Sequence, residues 1–157
     1  MDRDQILRTQ LRKLLDWEDA HVNFDSALEG IPSILHDIVP EGLPYSPWQL
    51  LEHLRRTQFD ILEFCRNPDY LEPPFEEYWP SSAAPPTPEA WDESVAAYRK
   101  DREALKELAM NPSIDLFAVI PHGSGQTYLR ELLLVADHNA YHVGALVVAR
   151  RRLGNWE

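Results

Sequence analysis

The stretch VADHNAYHVGALVVARR, residues 135–151, carries two histidines, His138 and His142, four residues apart in an almost unbroken apolar run. On a helix advancing about 100° per residue, their side chains lie about 40° apart on one face, so the rings can converge on one point. Two neutral imidazoles at that spacing are half of a site for a divalent transition metal, and a third ligand must come from another helix. His53 is the best candidate, on the edge of an apolar stripe that includes Leu50 and Phe64. Taken singly, a histidine on such a stripe is more often a satisfied core residue, and an i, i+4 pair is common by accident. Burial argues the other way. Two imidazoles removed from water cost a few kcal/mol unless each finds a partner, and one shared metal satisfies both.

Neighbouring motif classes are tested residue by residue. A zincin needs HExxH, with the Glu as general base. The sequence here is HNAYH, with Asn139 in that place. A di-iron carboxylate site needs two Glu-x-x-His pairs and two further Glu, whereas only Glu18 to His21 has that form. HGSGQT lacks the lysine and spacing of a phosphate-binding P-loop. The single cysteine, Cys65, precludes an internal disulfide and reads as a small buried hydrophobe. No general acid or base is assigned, so the catalytic residues stay unknown.

Four segments must position the histidines. The first runs from about Asp4 to Glu29, with Leu7, Leu11, Leu14, His21, Phe24 and Leu28 at helical spacing, and stops at Gly30 and Pro32. The second starts at SPWQ, where Ser46 caps, Pro47 takes the first helical position and Gln49 completes a capping box. It runs through Leu50, Leu54, Ile61 and Cys65 to about Arg66. A long proline-rich connection follows, and its aromatics indicate that it packs on the body. The third segment starts around Thr87-Pro88-Glu89 and runs to about Met110, with Trp91, Val95, Tyr98, Leu105 and Leu108 inward. The fourth spans Thr127 to about Leu153, is apolar nearly all round and so reads as the most buried element, and stops at Gly154. No alternating strand or repeat is evident. The expectation is all-α: a four-helix bundle in one domain, residues 1–157, whose long second-to-third connection allows a crossover.

The bulk numbers bound the partners. With 15 basic and 26 acidic residues, the net charge is -11. Such a surface repels phosphate backbones and anionic membranes, so neither nucleic acid nor a membrane is expected as a partner. The N-terminus is charged and lacks the apolar core of a signal peptide, and no window of roughly 18 uncharged apolar residues is evident. The expected location is cytoplasmic.

SPWQLLEHLRRTQFDILEF and LRELLLVADHNAYHVGALVVARRRLG resemble the second and fourth helices of the DinB superfamily, whose YfiT-like members are regarded as metal-dependent hydrolases. The resemblance covers most of the chain and is weak in the proline-rich connections. It implies a four-helix bundle with a crossover. It also implies one divalent metal held by a His on the second helix and two on the fourth, here His53, His138 and His142. A homodimer is implied on the same ground. Three further residues are candidates to support the ligands from behind: His21 on the inner stripe of the first segment, His122 in IPHGSGQT, and Glu131, two turns before His138. Their plain alternatives are a core histidine, a solvated loop histidine and a glutamate suited to a helix N-terminus.

A metal with open coordination positions lowers the pKa of water and supports hydrolysis of a small substrate. The family implies a second chemistry on the same histidines, in which the metal activates a low-molecular-weight thiol. That reading needs a pocket for an anionic cofactor, for which Arg55, Arg56 and Arg130 are available. A non-catalytic, stress-associated metal-binding protein and a metal-free helical bundle complete the alternatives. Zn, Ni, Fe and Co all accept three imidazoles, so the sequence does not name the metal.

Overall fold

The computed structural model of the protein describes residues 2–16 and 19–157. Among these residues the fold is all-helical. Its helices are α1 (Arg3–Leu14), α2 (Phe24–Leu28), α3 (Pro47–Arg66), α4 (Ala90–Met110) and α5 (Tyr128–Arg152), with 3-10 turns at Ser33–Leu35 and Phe75–Tyr78. The extended backbone contributes one isolated antiparallel bridge, Val119 to Thr127. Helix α3 packs on both α4 and α5, α1 lies against α4 and α5, and α2 sits on α5.

The helix starts follow from side-chain chemistry. At α3 the Ser46 hydroxyl accepts from the Gln49 backbone N–H at 3.2 Å, and the Gln49 side chain accepts from the Ser46 N–H at 3.1 Å. This capping box, with Pro47 at the first position, fixes where α3 begins and therefore where His53 falls. Thr127 caps α5 by accepting from the Arg130 N–H. At the far end, Gly154 takes φ +68° and the Asn155 N–H donates to the Arg150 carbonyl, which closes the helix.

Three expectations need correction. The first segment is two helices, because Asn23 starts a new one by accepting from the Ser26 N–H. The first helix has already ended at Leu14, with Leu15 as its C-cap. Trp17 and Glu18 lie outside the described residues, and with them the Glu18–His21 pattern. Second, α4 begins at Ala90, since the residues from Thr87 form a turn and Glu89 makes no side-chain cap. Third, α5 is not buried all round. Leu133 and Val148 are 47% and 44% exposed, and Ala140, Tyr141 and Gly144 are exposed beside them. By length and composition α5 is apolar enough to cross a membrane, although 44% of that window is buried against the other helices.

The core has two apolar clusters. One gathers Leu50, Leu51 and Leu54 with Phe24, Trp91, Tyr98, Val143 and Leu146, and the other gathers Ile61, Leu62 and Cys65 with Leu11, Leu105, Leu116, Leu132 and Val135. Between them lies a buried polar rung. The Asn139 amide donates to Gln58 Oε1 at 3.0 Å, and the Gln58 amide donates to the Tyr98 carbonyl at 2.8 Å. Asn139, the residue that replaces the zincin glutamate, thus ties α5 to α3 and, through Gln58, to α4. Asn139→Ala should leave Gln58 Oε1 buried and unpaired and cost about 1–3 kcal/mol of stability. Urea unfolding reads this directly, and an unchanged midpoint would show that the rung does not hold the helices.

Candidate metal centre

His53 projects from the first half of α3, and His138 and His142 from the middle of α5, one turn apart. The structure brings all three together. Nε2 of His53 is 3.2 Å from Nε2 of His142 and 3.1 Å from Nε2 of His138, and the three ligand atoms all lie within 4.8 Å of one another. His53 is only 5% exposed, and the other two are partly buried.

The outward nitrogens decide which way the lone pairs point. His53 Nδ1–H donates to the Tyr78 carbonyl at 2.9 Å, which leaves its Nε2 without a proton. The Thr57 hydroxyl donates to the His53 carbonyl at 2.8 Å, so its oxygen is free to accept from His138 Nδ1–H at 3.3 Å. Nε2 of His138 is therefore also a bare lone pair. His142 Nδ1 is buried without a hydrogen-bond partner. A single proton on His142 Nε2 satisfies at most one of the two facing lone pairs. A cation among the three satisfies all of them.

The spacing agrees with that donor set. For metal–nitrogen bonds of about 2.0–2.1 Å, the nitrogens of a tetrahedral site are about 3.3 Å apart. The 3.1 and 3.2 Å separations lie close to this value. A backbone carbonyl or a hydroxyl behind each of two ligands is the arrangement that fixes tautomer and orientation in metal sites. The residues present thus fit a divalent transition metal.

Burial disfavours the charged imidazoles. It pulls His53 from its ordinary 6.5 to about 4, with the His138 charge adding to the effect and the Tyr78 carbonyl opposing it. It pulls His142 to about 3, helped by His138 and His53, and lowers His138 as well. Neutral imidazoles are the form a metal needs.

The proline-rich connection supplies one wall. The Trp79 ring stacks on His53 at 3.7 Å with an interplanar angle of 6°, and it also stacks on Tyr45 at 3.7 Å. Trp79 meets His142 edge-on at 5.7 Å, and Tyr141 meets it edge-on at 4.9 Å. Thr57, Tyr78, Trp79, Tyr45 and Tyr141 were not singled out by the sequence reading. The density of aromatics in EEYWP was the one available signal.

The three supporting candidates are not brought to the triad. His21 is exposed in the turn between α1 and α2, with Nδ1 bonded to the Val22 carbonyl. His122 Nε2 donates to the Phe64 carbonyl at 2.7 Å, eleven residues and about 16 Å along α3 from His53. Glu131 is buried, but it accepts from Arg130 and its charge acts on Cys65, toward the other end of α3. Burial pushes the Cys65 thiol up to about 12, with Glu131 adding to the rise, so the thiolate is suppressed.

Two outcomes test this geometry. Without metal, the folded histidines bind protons more weakly than the unfolded ones, so stability falls as pH drops from about 6.5 toward about 3. Urea midpoints at several pH values, compared with His138→Ala/His142→Ala, isolate that slope from the carboxylates. Identical profiles would show that the rings are not held neutral by burial. Thr57→Val removes the acceptor behind His138 and should weaken metal affinity about tenfold or more, read by chelator competition.

No curated protein and no solved structure matches the chain at the significance required. A sequence model of the DinB superfamily matches residues 16–146, which includes all three histidines. With most of its length matched in this way, and an all-helical fold that agrees, the chain belongs to the DinB superfamily.

Proposed function

We propose that the protein is a metal-dependent hydrolase acting on a small substrate, with one divalent transition metal held by Nε2 of His53, His138 and His142. The observation that carries the reading is the convergence of three Nε2 atoms, two of them proton-free by virtue of their outward hydrogen bonds. Bound there, such an ion supplies Lewis acidity and a lowered pKa for water. Three protein ligands leave positions for water and substrate, which is the pattern of catalytic rather than structural sites.

The chain's own groups have defined parts. The Tyr78 carbonyl and Thr57 hydroxyl orient the ligands. Trp79 covers one face of His53 and excludes water from it. The thiol-dependent alternative finds less support. Arg55 and Arg56 both donate to the buried Glu52 carboxylate, and Arg130 pairs with Glu131. Arg130 is paired one to one, whereas Arg55 and Arg56 share one carboxylate and leave one positive charge whose field reaches His53. Part of the same reading are a cytoplasmic location, in keeping with the acidic surface, and a homodimer, supported by the exposed stripe of Leu133, Ala140 and Gly144 on α5 and checked by sedimentation.

Elemental analysis of the untagged protein should give about one equivalent of transition metal, with little left in His138→Ala/His142→Ala. Hydrolysis of generic aryl esters should follow the metal, falling at least about 100-fold on chelation and returning on reloading. No metal in the native protein and no uptake of Zn, Ni or Fe would sink the reading. Metal without turnover would leave a non-catalytic metal-binding protein.

A further inference from the structure

A cavity of about 260 Å³ has His142 in its wall. Tyr45 and Leu50 line one side of it, and Tyr141, Ala145 and Val148 of α5 line the other. Among the described residues, no Asp, Glu, Lys or Arg lines it. Arg152, one turn beyond Val148, stands outside the lining and donates to the Glu41 carbonyl. Arg55 and Arg56 face two larger grooves along α3, and both are already paired with Glu52. The second of those grooves has Trp79 in its wall, and the stacked Trp79 ring stands against His53.

From this cavity we infer that the substrate of the proposed hydrolase carries a neutral apolar group, an aryl ring or a branched alkyl chain, seated between Tyr45, Leu50 and Ala145 beside His142. The inference rests on the metal reading above and adds the substrate class. Size sets the limit. An apolar cavity of about 150 Å³ is enough for benzene, so 260 Å³ takes one ring with a short substituent, and anything longer projects from its open side. Charge sets the sign. Among the described lining residues a carboxylate would meet no lysine or arginine, only the Tyr45 and Tyr141 hydroxyls, so it would give up hydration for little in return. The aromatic walls favour a ring by offset or edge contacts.

The test uses the Co(II)-loaded full chain and three hydroxamates, with binding read from the visible spectrum of the metal rather than from turnover. Each affinity is corrected by that for free Co(II). Benzohydroxamate should bind about tenfold or more tightly than acetohydroxamate, from the apolar area of its ring. A benzohydroxamate bearing a para carboxylate should lose most of that gain. Ala145→Phe, which fills the floor, should bring the benzo-to-aceto ratio near one while acetohydroxamate binds as before. Val148→Phe, at a half-exposed position, is the second variant should the first fail to fold. Equal affinities for the two neutral probes, or tighter binding of the carboxylate, would overturn the inference and leave the metal site standing. Failure to take up Co(II) would overturn the metal reading itself. If a second copy fills the cavity instead, Val148→Phe shifts the oligomeric state and the probes bind alike, which also overturns it.

Discussion

Three imidazole nitrogens meet where α3 faces α5, two of them as bare lone pairs, and the arrangement of the surrounding chain answers to that constraint. Each ring would accept a proton readily in solution. Here burial opposes the charge, and the outward nitrogens of His53 and His138 are already committed as donors. Repulsion among the inward nitrogens is left for something positive to relieve. The rest of the fold can be understood as what keeps the three rings from turning away. The capping box sets the register of α3, the rung of Gln58 and Asn139 sets α5 against it, and the stacked indole prevents His53 from rotating.

Much of this was legible in the sequence because it depends on local rules. The i, i+4 spacing of His138 and His142 follows from helix pitch alone. Serine, proline and glutamine at residues 46–49 have one economical structural meaning, and the structure keeps it. Pairing His53 with the other two rested on its place at the edge of an apolar stripe, and that edge faces α5. The family likeness pointed to the same three residues.

What was not legible depends on contacts between distant segments. His21 sits in phase with the apolar stripe of the first segment, yet α1 ends at Leu14 and α2 starts only after Asn23, which leaves the ring outside both. Periodicity reports which residues would share a face if the helix continued, and it does not report whether it continues. Glu131 shares a face with His138, but two turns of rise carry it toward Cys65. The apolar composition of α5 suggested complete burial. Its exposed stripe shows that composition does not say which sides of a helix have neighbours.

Tyr78 contributes to the site through its backbone oxygen, and its phenol points to another task, donating to Asp60. Any residue that follows the same path would present the same oxygen to His53. The identity at position 78 is therefore decoupled from the orientation of the ligand, whereas the length of the connection from 67 to 89 is not. Inserting or deleting one residue there would slide the carbonyl past the ring without altering any histidine. In this chain, the spacing of a proline-rich connection sets how His53 faces the other two histidines.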